Sequence, residues 1–214
     1  DAPYGVWFDG DWDKPRLDDP AIQKGLSDYA GLMQAGPSDI LSYNWNEAGN
    51  AFCNGQAAFF ADASLFGPWF ETDDCPISKG NTGYMALPPQ DKGGTSYTAN
   101  WQWGIGMGAN AQEKDAGWYF IQYMTNKASE AVIGTFHGGA GRLSTWENDS
   151  YTSTLNPDYV SATLESMKTV RTSVVPVKDF NKYALEIMDV ILDIHGGANS
   201  ADATAKGNAN FKAM

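Results

Sequence analysis

Trp101 and Trp103 stand two residues apart in the stretch TANWQWGIG. On an extended strand both indoles leave the same face, because side chains alternate with period two. Asp62 closes the run AAFFAD with a carboxylate that accepts hydroxyl hydrogens, and Arg142 in GGAGRLS carries guanidinium donors. Sugar rings and polyol chains call for this combination: their C–H faces stack on indoles while their hydroxyls need polar partners. Each residue also has a plainer alternative. Two tryptophans can be core, Arg142 can pair with a surface acid, and Asp62 can cap the next turn.

Bulk composition removes several other classes of function. The chain has 214 residues, with 14 Lys plus Arg against 26 Asp plus Glu, a formal charge of −12. Such a balance opposes binding to nucleic acid or to anionic lipid, both of which need a basic surface. No apolar run approaches the roughly 20 residues of a membrane helix. The opening DAPYGVWFDG has neither the basic start nor the apolar centre of a secretion leader, so a mature form or a chain shortened upstream is expected. Cys53 and Cys75 are too few and too far apart for a zinc ribbon; they read as one disulfide or as two buried thiols.

Catalytic motifs are missing as well. Gly104, Gly106 and Ala109 fit a loose dinucleotide pattern, but two tryptophans precede it and no acidic residue closes a second strand at the required distance. His137 and His195 form no H-x-x-x-H pair, and no serine sits in a G-x-S-x-G elbow. The segment DGDWDKPRLDDP lacks the glycine and the glutamate of a calcium loop. A glycoside hydrolase needs only two carboxylates; the acid count permits it, although no local feature selects a pair. A hydrolytic triad, a zinc site and a dinucleotide site therefore lack support, no cofactor or metal is expected, and a two-carboxylate hydrolase stays open on the residues alone.

The elements that must position these residues alternate between strand and helix, which specifies an α/β fold. A helix is expected after Asp18 or Asp19 as cap, with Pro20 in its first turn, Ile22, Leu26, Tyr29, Leu32 and Met33 inward, and a stop at Gly36-Pro37. Asn44 and Glu47 have the spacing of a capping box, and Gly55 supplies a left-handed stop. The runs AAFFAD, GYMALPP and WQWGIGMGAN read as three strands. Further helices are expected over AQEKDAGWYFIQYMTN (Ala116, Phe120, Ile121 and Met124 inward), over ASEAVIGTF, and at about 158–168, 179–194 and 200–212.

In order and spacing, FxxGQAA (Phe52–Ala58), Gly83–Pro88 and the helix at Ala116–Ile121, where Gly117 is inserted before the Trp, resemble the extracellular solute-binding proteins of bacterial ABC importers. Asp62-Ala63, the W-x-W strand, and Arg142, Ser144 and Trp146 are most similar to the polyol-binding branch of that family. The resemblance runs from about Asp9 to Phe211. It implies a type II periplasmic-binding fold with two lobes and hinge crossings, of which this chain holds mainly the C-terminal lobe. Residues 1–104 and 146–214 would form that lobe, and 105–145 would belong to an N-terminal lobe otherwise absent. It further implies reversible capture of a sugar alcohol or small sugar, delivery to permease subunits, and a periplasmic or lipid-anchored, monomeric protein. Asp62 would accept, Trp101 and Trp103 stack, and Arg142 donate. Trp45, capping a helix that faces the same region, is a secondary candidate; Trp69, in a loop, is weaker. A glycoside hydrolase or a lectin-like carbohydrate-binding module is the alternative.

Overall fold

Asp and Asn side chains open most of the longer helices of this protein, whose computed structural model describes residues 7–9, 14–137, 139–172 and 177–214. Asp11–Asp13 of the polar turn and Gly138 of the glycine-rich turn lie outside the described residues. In chain order the elements are α1 (Pro20–Gln34), α2 (Trp45–Cys53), α3 (Phe66–Phe70), β1 (Thr98–Asn100), α4 (Lys114–Thr125) and α5 (Lys127–His137). They continue with α6 (Leu143–Trp146), α7 (Asp149–Thr152), α8 (Pro157–Met167), β2 (Val170–Thr172), α9 (Phe180–His195) and α10 (Ser200–Ala213). Asp19 caps α1 through the Ala21 N–H with Pro20 at the first position, and Asn44 with Glu47 completes the expected capping box on α2. Asn156 and Asn199 do the same for α8 and α10. Each such cap satisfies donors that the helix itself leaves open, worth about 1 kcal/mol.

The chain divides into two compact units. The first comprises Asp1–Tyr43 and Arg171–Met214. Its core is Phe8, Leu17, Ile187 and Phe211, with Trp7 stacked on Phe180 at 5.2 Å and Ile22 and Leu26 packed alongside. Leu17 is fully buried, and its N–H donates to Asn208 Oδ1 at 3.1 Å, so the polar atom brought inside by α10 is matched. The inward face expected for α1 needs correction. Ile22 and Leu26 pack as anticipated, but the buried arc is rotated toward Ala30, leaving Tyr29 56% and Leu32 70% exposed.

The second unit spans Asn44–Val170. Phe52, Phe60, Phe66, Trp69 and Phe70 pack ring against ring around Cys53 and Cys75. Trp69, expected in a loop, is thus a helical residue of α3 whose ring is spent on this cluster. The two cysteines are disulfide-bonded with 4.7 Å between Cα atoms. Gly55 adopts φ +72°, the left-handed geometry that ends α2 and turns the chain back toward the cluster. A second cluster joins Ala140, Trp146, Tyr151 and Tyr159.

Strand content is the main departure from expectation. None of the three expected runs is assigned as strand, and the nearest ladder residues are Thr98–Asn100, just before Trp101. The alternation itself survives: Thr82, Tyr84 and Ala86 are partly buried while Gly83, Met85 and Leu87 between them are exposed. Likewise Phe60 enters the aromatic cluster while Phe59 is 90% exposed. Extended backbone and correct side-chain period are local properties, whereas a ladder also needs a partner strand. The helix over α4 forms, but Phe120 is 55% exposed and none of its residues is fully buried.

Two stability predictions follow from this packing. Closing the loop between Cys53 and Cys75, 22 residues apart, stabilises by about 3 kcal/mol in the chain-entropy account; replacing both by Ala should lower urea-unfolding free energy by that order, and an unchanged midpoint would contradict it. The second concerns Tyr151, whose buried hydroxyl makes no aligned hydrogen bond among the described residues, the Ala140 backbone beside it falling short of bonding geometry. Burial above all, then Tyr159 and the Glu130 charge, pushes its pKa up to about 12. The folded chain then keeps a proton that the unfolded chain sheds near pH 10, so the associated stability is present below about pH 10 and is lost as pH rises toward about 12. Tyr151→Phe removes a buried hydroxyl that makes no aligned hydrogen bond. It should match or exceed the parent at pH 7 and lose stability less steeply across the alkaline range; parallel curves would refute this.

Candidate functional site

All five candidate residues belong to the second unit. Trp45 is the first residue of α2, held there by the Asn44 capping box. Its ring meets Phe66 edge-on at 4.7 Å, and its Nε1–H donates to Asp62 Oδ1 at 2.9 Å. Asp62 Oδ1 also accepts the Ala63 N–H at 2.6 Å. The carboxylate thus holds the indole of Trp45 and its own next backbone N–H through one oxygen, with Oδ2 left without a hydrogen-bond partner among the described residues. Trp45 braces it.

Trp101 and Trp103 are not core. They are 63% and 79% exposed, with ring centroids 6.2 Å apart and planes inclined at 65°. The two indoles are neighbours on one side of the extended chain, as their spacing requires. Between them, Gln102 directs its amide at Gly141, where an added Cβ would overlap Gln102 Nε2. Gly141 is thus glycine because another side chain occupies the space its Cβ would need.

Arg142 terminates a turn whose every described residue is held by a side chain or makes such a bond. The Gly139 N–H donates to the Tyr159 hydroxyl at 3.2 Å, with Gly139 itself at φ +65°. The Ala140 carbonyl accepts Trp146 Nε1–H at 2.8 Å. The Gly141 N–H donates to Glu130 Oε1 at 2.7 Å. Arg142 Nη2 donates to the Thr125 carbonyl at 2.6 Å, at the end of α4, and its Nε lies 2.9 Å from Glu130 Oε2. This last contact is an ion pair by distance without hydrogen-bond alignment, since Oε2 is buried and lacks an aligned donor among the described residues. Arg142 does pair with an acid, as its plainer reading held, while its side chain stays 46% exposed.

These contacts link the candidate residues through the turn. A Cβ on Gly139 would lie 3.8 Å from Ser64 Oγ, two residues after Asp62, while Gly141 touches Gln102 between the tryptophans. The sequence reading missed Glu130, Gln102 and Gly141. Gln102 had a signal, as the polar residue on the opposite face of a W-x-W strand; Glu130 had none. Two shallow hollows lie elsewhere in the unit, about 220 Å³ beside Tyr84, Asp158 and Glu165 and about 190 Å³ beside Glu71 and Asn156. Neither includes an indole or any candidate residue. Among the described residues, no group of three or more His, Cys, Asp or Glu is placed to hold a metal ion.

A family model described as bacterial extracellular solute-binding protein matches residues 2–131. The mannitol-binding protein of Pseudomonas aeruginosa is 28% identical over 172 residues, which is 77% of this chain and 38% of that protein. The solute-binding protein of an ABC transporter from Agrobacterium radiobacter, solved in complex with ribitol, superposes with a TM-score of 0.81 at 20% identity, covering 98% of this chain and 53% of that one. A Synechococcus periplasmic-binding protein superposes at 0.65 and 14% identity, covering 98% and 55%. The chain thus spans about half, or less, of the length of these relatives, and it shares the α/β fold of periplasmic solute-binding proteins over nearly all of its own.

Proposed function

The chain belongs to the bacterial extracellular solute-binding protein family, and on that premise we propose that it captures a sugar alcohol or small sugar reversibly and delivers it to the permease of an ABC importer. The observation that carries the reading is the pair of exposed indoles, Trp101 and Trp103, in the same unit as a carboxylate held by Trp45 and a guanidinium held by Glu130. A mannitol-binding relative and a ribitol-bound structural neighbour support the polyol class. Trp101 and Trp103 stack on the C–H face of the ligand, Asp62 accepts from a hydroxyl through Oδ2, and Arg142 donates. Trp45 contributes by bracing Asp62 more than by stacking, because its Nε1–H is already engaged.

In this reading, residues 1–104 and 146–214 belong to a C-terminal lobe and 105–145 to an N-terminal lobe, and the lobes close around the solute by hinge motion. The exposed aromatic side chains of α4 (Trp118, Tyr119, Phe120 and Tyr123) favour that assignment, since an apolar face of this extent calls for a covering layer. The protein works as a monomer in the periplasm or tethered outside the membrane, without catalysis. No described helix is long and apolar enough to cross a membrane.

Calorimetry on the intact protein with hexitols, pentitols and small sugars tests the reading; absence of binding to all of them would sink it. Trp101→Ala or Trp103→Ala should weaken every ligand together, because stacking area is lost and no hydroxyl partner is. Asp62→Ala removes a charged acceptor worth about 1.5–3 kcal/mol and should reorder stereoisomers. An unaltered ranking would reduce Asp62 to its bonds with Trp45 and the Ala63 N–H.

A further inference from the structure

Glu130 lies on α5 with a side chain only 19% exposed, an uncommon place for a carboxylate. It has two tasks: Oε1 accepts the Gly141 N–H at 2.7 Å, and Oε2 faces Arg142 Nε at 2.9 Å. Arg142 is fixed a second time by its Nη2 bond to the Thr125 carbonyl. A guanidinium has five N–H donors; these contacts engage its Nε edge and one Nη2 hydrogen, leaving the Nη1 pair and the second Nη2 hydrogen for a ligand. The charge is as significant as the geometry. A bare arginine at a binding surface selects carboxylates and phosphates, which it grips in bidentate fashion. With a carboxylate already against Nε, the pair is neutral overall and offers donors without a net positive field.

We propose that Glu130 is a specificity-determining and positioning residue: it holds Arg142 charge-compensated, so that the site takes neutral polyols and disfavours their acid counterparts. The inference rests on the polyol reading above and identifies which member of that chemical class the site admits. It does not require Glu130 to touch the ligand. The carboxylate acts through Arg142 and through the turn that carries it.

The test compares one hexitol with the aldonic acid of the same carbon skeleton, both titrated calorimetrically into the intact protein. The parent should prefer the hexitol. Glu130→Gln keeps a carbonyl oxygen for the Gly141 N–H and removes only the charge, so the hexitol-to-aldonate affinity ratio should shift by about tenfold toward the acid, as expected for one charge-assisted contact. Arg142→Gln leaves Glu130 uncompensated and should move the ratio the other way; it reports independently if Glu130→Gln folds poorly. A purely structural role for Glu130 would weaken both ligands alike. If the parent binds the hexitol and neither variant changes the ratio, this inference is overturned while the polyol reading stands. If the parent binds neither ligand, the reading falls and the inference with it.

Discussion

Four backbone and side-chain bonds on the turn Gly139–Arg142 hold the candidate site together. Tyr159, Trp146, Glu130 and the end of α4 each take one of its polar groups. A glycine-containing turn has the least conformational restraint of any segment, so its geometry must come from what grips it. The grips come from different parts of the second unit: Tyr159 from α8, Trp146 from α6 and Glu130 from α5. The turn is consequently the place where helices that are separate in the chain agree on one position. Ser64 and Gln102 then approach the same turn, bringing with them the Asp62 and tryptophan segments.

The second unit compensates for scarce ladder pairing with rings and a covalent bond. Phe52, Phe60, Phe66, Trp69 and Phe70 make successive stacked and edge-on contacts between 4.8 and 5.9 Å. Such pairs contribute about 0.5–1.5 kcal/mol each beyond their buried area. The Cys53–Cys75 bond closes α2 onto the segment after α3. Together they hold α2 and α3 in one arrangement, and Trp45, resting edge-on against Phe66, carries that arrangement to Asp62. The Asp62 carboxylate is thus tied, through Trp45, to the aromatic cluster.

What was legible in the sequence divides along the line between local and distant causes. The caps at Asp19 and Asn44 were readable because cap and helix lie within three residues of each other. The same holds for Gly55 and for the two indoles of the W-x-W run. The ladders were not readable: alternation at 82–87 specifies which side chain points where, but pairing depends on a partner segment that the run itself does not encode. Trp69, expected in a loop, is helical: Pro68 before it falls in the first turn of α3, where the missing N–H costs nothing. Glu130 was invisible for a deeper reason. In ASEAVIG it looks like any solvent-facing helical acid, and its burial arises from Gly141 and Arg142, eleven and twelve residues further on, folding back over it.

Period two explains why residues 101–103 present indoles on one side and an amide on the other. Trp101 and Trp103 leave one face, and Gln102 between them must leave the other, where it meets Gly141. A slip of one residue would exchange these roles, burying an indole against the turn and turning the amide to the surface. The absence of a side chain at position 141 reinforces the correct register, because the space there admits a slim amide and is too close to Glu130 Oε1, 3.1 Å from the point where a Cβ would stand, for an indole. The indole platform, the glycine that receives Gln102, and the carboxylate that fixes both the glycine and Arg142 therefore constrain one another. On the reading proposed above, specificity need not come only from residues that touch the solute, since a carboxylate beneath the turn compensates the Arg142 charge.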